Sequence, residues 1–266
     1  MEKMISKYRH RYTVTATDMD AEYRLTPNAM LMYSQDCFAR MMTVCRLAAF
    51  DVVKQNRMWV ITEYTADIRP VETFWSEDIV VELWVSERST LRIYCDFKIM
   101  KADGETLIAT GSFQMNILGT ATHRLEPTDF LAGRCEVVPE MTTGSHKKER
   151  FPKMTTPEMH LDHQVTKLDV DFNGHMGNRG YVDIALLTMP DEVLRGKRLV
   201  RMIVHWLRKS HLGDTLRCEM SRAEGEEETY LHLLTNQSGA AVCEMLSRWE
   251  ERKERPDIAE VLERRL

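Results

Sequence analysis

Apolar residues recur at every third or fourth position through AMLMYSQDCFARMMTVCRLAAF (29–50). Met30, Tyr33, Cys37, Met41, Val44, Cys45 and Ala48 fall on one face, which predicts a helix about six turns long. The pattern then changes to β-branched and aromatic runs: MWVITEYTADI (58–68), EDIVVELWVSE (77–87), LRIYCDFKIM (91–100) and ETLIATGSFQMNIL (105–118). Turn signals such as Ala102-Asp103-Gly104 separate them, so four strands are expected. The same order returns downstream. A shorter helix over YVDIALLTM is followed by RLVRMIVHWLRK (198–209), DTLRCEMSRA (214–223), ETYLHLLTN (228–236) and GAAVCEMLSRWE (239–250).

The chain is thus written twice. Val14-Thr-Ala-Thr-Asp18-Met-Asp20 recurs as Val165-Thr-Lys-Leu-Asp169-Val-Asp171, an offset of 151 residues. Asp78 opens a predicted strand as Asp214 does, and Gly104 precedes one as Gly239 does. Each copy reads as a strand, a helix and four antiparallel strands. A long helix wrapped by a curved antiparallel sheet is the hot-dog arrangement, so the expected fold is α+β, a tandem double hot-dog with one continuous sheet. Residues 1–125 are read as the first repeat, 126–158 as a linker, 159–252 as the second repeat and 253–266 as a short terminal helix. The linker holds Pro127, Pro139, Pro152 and Pro157 and the charged HKKER (146–150), and is expected to cross the outside of the molecule.

Composition narrows the function. Apolar residues make up 43% and charged residues 29%, enough to build real cores. A net charge of −5 without a long basic tract argues against nucleic-acid binding. The start, MEKMISKYRHRY, has no apolar stretch after it, and no run of roughly 18 apolar residues occurs, so neither a signal nor a membrane span is expected. The six cysteines are scattered with no C-x-x-C pair, which fits buried thiols in a reducing cytoplasm. No zinc spacing, P-loop or dinucleotide fingerprint is present, so no metal and no cofactor are expected.

The candidate chemistry lies where the two copies differ. VDFNGHMGNRGYVD (170–183) carries Asp171, Asn173 and His175 at alternate positions, with glycines at 174, 177 and 180. At the same offset the first copy has Asp20, Glu22 and Arg24. Asp and Asn before a helix are ordinary caps, and Gly is ordinary in turns. Capping does not need a histidine, however, and a structural loop has no reason to differ between copies. If the segment is extended, the three side chains project to one side. The first turn of the following helix then offers free N–H donors for a developing oxyanion.

Asp171-Phe-Asn173-Gly-His175-Met-Gly177-Asn178-Arg-Gly-Tyr181 resembles the D-x-N-x-H-x-x-N-x-x-Y signature of plant and bacterial acyl-ACP thioesterases, in their second hot-dog repeat. WVITEYTADIRPVETFWSEDIVVELWV and THRLEPT (122–128) are similar to that family's first repeat, and the likeness covers most of residues 8–250.

The resemblance implies hydrolysis of a fatty acyl thioester on acyl carrier protein, without metal or nucleotide. The first repeat would shape the acyl pocket. Asp171 would act as base or orienting carboxylate, His175 as polariser or general acid/base, and Asn173 as orienter or carbonyl donor. One departure stands out: where the family commonly has a glutamate followed by cysteine or alanine, this chain has Lys209 and Ser210, read here as possible contributors. Water is the expected nucleophile, because no activating base is evident beside Ser210. Two alternatives stay open, an acyl-CoA thioesterase of the same fold and an acyl-binding protein without catalysis. A homodimer is also open.

Two further features have ordinary readings. Met30, Met32, Met41 and Met42 suit core packing as well as an acyl channel. The basic runs Arg195–Arg201 and HKKER suit a solvated surface as well as a dock for an acidic carrier.

Overall fold

The computed structural model describes residues 4–154 and 156–252. The first copy contains β1 (Tyr8–Thr13), α1 (Pro27–Val44), α2 (Ala49–Val53), β2 (Arg57–Ile68), β3 (Asp78–Arg88), β4 (Ile93–Lys101), β5 (Leu107–Gly119) and the short β6 (Leu125–Glu126). The second contains β7 (Met159–Gln164), α3 (Asn178–Leu187), α4 (Asp191–Gly196), β8 (Lys197–Trp206), β9 (Thr215–Arg222), β10 (Thr229–Asn236) and β11 (Ala241–Glu251). The helix predicted over 253–266 lies outside the described residues.

All strands join one sheet in the order β1-β3-β4-β5-β2-β8-β11-β10-β9-β7, with β6 on β5. The order reads as the same five-strand unit met from opposite ends, with β2 and β8 pairing antiparallel at the centre. Thr65 faces Ile203 there, and the Asp67–Arg201 ion pair at 2.5 Å crosses the join. This is the tandem double hot-dog.

α1 starts where Thr26 accepts a hydrogen bond from the Ala29 N–H at 3.1 Å and Pro27 supplies a preset φ. Its inner face carries Met30, Leu31, Cys37, Phe38, Met41 and Met42 against β3 and β4. Met30, Met41 and Met42 are therefore core residues, while Met32 is 43% exposed. The helix is shorter than its apolar period. Arg46 takes a left-handed conformation (φ 57), and the chain restarts as α2 at Ala49. α3 packs against β9 and β10, so both helices lie on one face of the sheet.

The chain between β6 and β7 crosses the other face and is fastened by polar contacts. Trp84 Nε1 donates to the Glu140 carbonyl at 2.8 Å. Fully buried Asp96 accepts from the Thr142 N–H at 2.5 Å and from the Ser86 hydroxyl, and lies 2.7 Å from His146 Nε2. Phe151 stacks on His205 with ring centroids 4.4 Å apart, over a small apolar cluster of Ile203, Leu231 and Leu246.

Candidate active site

The loops that lead into α1 and α3 have the same backbone. The Asp20 N–H donates to the Arg24 carbonyl at 2.9 Å, and the Asp171 N–H to the His175 carbonyl at 2.8 Å. The Tyr23 N–H reaches the Asp20 carbonyl, and the Gly174 N–H the Asp171 carbonyl, each at 3.0 Å. Thr26 N–H to Asp18 O is matched by Gly177 N–H to Asp169 O. Both aspartates also accept the N–H two residues on at 2.8 Å, from Glu22 and from Asn173. The 151-residue offset therefore runs through the loop without a slip.

That backbone corrects one expectation. Residues 171–175 form a tight turn rather than an extended segment, so alternation does not aim the three side chains. The turn gathers them instead. Asn173 Nδ2 lies 3.5 Å from Asp171 Oδ2, and the negative charge of Asp171 acts on the His175 ring.

Side chains make the two loops chemically different. In the first, Arg24 Nε donates to Asp20 Oδ2 at 2.8 Å, and its terminal nitrogens donate to the carbonyls of Leu194 and Lys197. It bolts the first copy to α4 and β8 of the second. At the matching position His175 is only partly buried and has no such anchor. Thr26 caps α1, whereas its counterpart Gly177 leaves α3 without a side-chain cap. First-turn N–H donors of α3 are thus left for another acceptor.

A second segment meets this loop. The Asp214 N–H reaches the His211 carbonyl, and Asp214 Oδ2 accepts the His211 N–H at 2.8 Å; Glu77 and Phe74 repeat both contacts. Glu77, one residue before Asp78, is therefore the counterpart of Asp214. Counting back, Ser210 matches Thr73 and Lys209 matches Glu72.

β8 ends at Trp206, because the Leu207 and Arg208 N–H groups both turn to the Val242 carbonyl. Lys209, the last residue of the strand predicted over 198–209, consequently lies with Ser210 in a loop beyond β8. Ser210 braces the site through its backbone. Its N–H donates to Tyr181 Oη at 3.0 Å, and its carbonyl accepts the Met176 N–H at 2.9 Å. The Ser210 hydroxyl is buried without a hydrogen-bond partner, so no base activates it.

Lys209 is exposed, and His211 meets the His175 ring edge-on with centroids 5.1 Å apart. Burial first, then the positive fields of Lys209 and His211, hold the His175 pKa below its ordinary value, with Asp171 opposing. That environment favours the neutral form of the imidazole. His211 was not found from the sequence, although counting back from the paired turns would have placed it opposite Phe74. Phe172 is exposed and stacks on Phe50 of α2 at 6.4 Å, so aromatic rings from both copies flank the loop.

The basic run after α3 is largely neutralised where it stands. Lys197 pairs with Glu228 and Glu251, Arg198 with Glu250, and Arg201 with Asp67 and Glu149. In HKKER, His146 is committed to Asp96 and Glu149 to Arg201. The run after α3 is therefore not a free basic surface, whereas Lys147, Lys148 and Arg150 of HKKER are exposed. All six cysteines are buried free thiols, and the described residues hold no cluster of three metal-ligating side chains. Among the described residues no helix is long and apolar enough to cross a membrane.

Fold and site together define a double hot-dog protein with one loop equipped for polar chemistry. Residues 5–126 match the acyl-ACP thioesterase N-terminal domain and residues 153–251 the acyl-ACP thioesterase C-terminal domain. The chain belongs to the acyl-ACP thioesterase family. It is 25% identical over 212 residues to an acyl-[acyl-carrier-protein] hydrolase of Cuphea viscosissima (FATB3, chloroplastic), across 75% of this chain and 50% of that one. The chain spans about half the length of the curated relatives it matches. Its fold is similar to that of an acyl-ACP thioesterase from Bacteroides thetaiotaomicron (TM-score 0.79, 18% identity, 92% of this chain and 98% of that one). It is also similar to the 12:0-ACP thioesterase of Umbellularia californica (TM-score 0.80, 16% identity, 92% and 98%).

Proposed function

We propose that the protein hydrolyses fatty acyl thioesters of acyl carrier protein to a free fatty acid and the carrier thiol. In this reading a water molecule attacks the thioester carbonyl as His175 takes its proton. The tetrahedral intermediate then collapses, the C–S bond breaks, and the proton passes to the departing thiolate. A neutral imidazole suits the first step, and the Asp171 carboxylate stabilises the imidazolium that forms. Asn173 Nδ2, held only loosely at 3.5 Å, and the uncapped first turn of α3 are donors for the oxyanion.

The observation that carries this reading is the shared backbone of the two loops. The turn is made in the first copy without Asn173 or His175, so those side chains are not there to make it. Exposure of Asp171, Phe172 and Asn173 leaves the loop open to a substrate as large as a carrier protein. An acyl-CoA thioesterase would use the same loop chemistry with a different carrier. Lys209, where the family commonly has an acid, favours an acyl-binding protein as the second reading.

The test is thiol release from acyl-ACP and acyl-CoA of matched chain lengths. Faster release from the carrier protein supports the proposal, and faster release from CoA favours the alternative thioesterase. No release with acyl binding intact would sink both enzyme readings.

A further inference from the structure

The first-copy loop has a cleft of its own. A cavity of about 700 Å³ is lined by Asp20, Glu22 and Arg24, the counterparts of Asp171, Asn173 and His175. Glu72 and Thr73, the counterparts of Lys209 and Ser210, also line it, as do residues of α3 and α4. Its volume is that of a small-molecule site. Asp171, Asn173 and His175 do not line it, so it is the mate of the candidate active site rather than a part of it.

Arg24 is saturated by Asp20 and two carbonyls, which leaves this cleft no imidazole and no free base of the kind His175 supplies. What it has is unused donors beside apolar walls. The Thr73 hydroxyl, on a residue only 2% exposed, has no hydrogen-bond partner, and neither does the buried Nε of Arg198. Arg69, an exposed residue, also lines the cleft and makes no ion pair with the described residues.

The acids of the rim are already engaged, among them Asp20 with Arg24, Glu72 with Arg252, Asp183 with Arg179 and Asp191 with Arg195, and Glu22 is not free either. They leave the unused donors free to meet an anion. Met19, Leu25, Met30, Ile68, Ile108 and Trp249 supply an apolar wall for an alkyl chain. Buried donors without acceptors are costly, and an alkyl carboxylate would satisfy them while covering that wall.

We propose that the first-copy cleft binds a free fatty acid, its carboxylate accepting from Thr73, Arg69 and Arg198 and its chain lying along the apolar wall. This goes beyond the hydrolase reading and does not depend on it, because binding is read without turnover.

The experiment is calorimetric titration of the whole protein with dodecanoate and with dodecan-1-ol. The expected result is saturable dodecanoate binding that weakens at least tenfold in Arg69→Glu, while dodecan-1-ol binding in that variant is unchanged. Val71→Trp, which fills the cleft from a partly exposed loop, should weaken both ligands, and His175→Gln should weaken neither. Circular dichroism establishes that each variant is folded. Thioester turnover by Arg69→Glu without added dodecanoate should match wild type. Absence of saturable dodecanoate binding, or wild-type dodecanoate affinity in either Arg69→Glu or Val71→Trp, overturns the proposal.

Discussion

Tyr23 and Gly174 occupy the same position of the same turn, both left-handed, with φ of 59 and 77. A tyrosine held there by the turn's hydrogen bonds shows that the turn does not require glycine. Left-handed backbone costs an ordinary L-residue roughly 1–2 kcal/mol. Tyr23→Gly should therefore stabilise the protein by about 1 kcal/mol, and Gly174→Ala should destabilise it by a similar amount. A Cβ on Gly174 would have no atom within 4 Å, so the second change should leave turnover within about twofold. Urea unfolding and thiol-release rates of both variants check this.

Lys209 places positive charge near His175. A base that must be neutral to work loses activity as pH falls through its pKa. Because that pKa is held low, activity should persist to lower pH than an ordinary histidine would allow. Lys209→Glu should raise the His175 pKa and move the acid limb of the kcat/KM profile upward in pH by about one unit. An unmoved limb would mean that His175 is not the titrating group.

The linker carries its own pH dependence. Burial works against charge on His146, but its hydrogen bonds and charge interactions with Asp96 and Glu87 more than offset this and raise its pKa. A raised folded pKa gives stability that is fully present below the unfolded value and is lost as pH rises through the folded one. His146→Gln should cost about 2 kcal/mol at pH 6, and the cost should shrink on the alkaline side. His205 runs the other way. Burial and then the charge of Lys148 push its pKa down to about 4, so its contribution is lost as pH falls from the ordinary histidine range toward that value. Denaturation curves of His146→Gln and wild type across pH separate the two effects.

Gly111 of β5 pairs with Ala66 of β2. A Cβ there would fall 2.1 Å from the Thr65 carbonyl oxygen and 2.4 Å from the Phe97 ring. Gly111→Ala should destabilise by about 2–3 kcal/mol, read from urea midpoints, through overpacking beside the strand that joins the two copies.

The strands were legible because β-branched runs bounded by turn residues leave few alternatives, and the repeated order identified the sheet's internal symmetry. Helix ends were less so. Cys45 and Ala48 continue the apolar period of α1, yet the left-handed Arg46 ends it, and nothing local in the sequence marks that position. Lys209 read as strand because the apolar run of β8 flows into it, while the Val242 carbonyl that captures Leu207 and Arg208 comes from a distant strand. The site residues were visible as a difference between copies. Their grouping in a turn, the bracing by Ser210 and Tyr181, and the edge contact of His211 depend on tertiary placement and were not.

Arg24 and His175 hold equivalent positions with opposite duties, one bolted to carbonyls and the other unanchored beside a carboxylate. Arg24→Ala should cost about 2 kcal/mol of stability through its lost buried contacts, with little effect on turnover per folded molecule. Thermal unfolding alongside the rate assay checks both halves of that statement.

The central claim is that Asp171 and His175 act on a thioester, and single-turnover thiol release from dodecanoyl-ACP tests it most directly. Asp171→Asn and His175→Gln should each slow release by a factor on the order of a hundred or more while remaining folded, and Glu22→Gln in the first copy should match wild type. Wild-type rates in either second-copy variant would contradict the account.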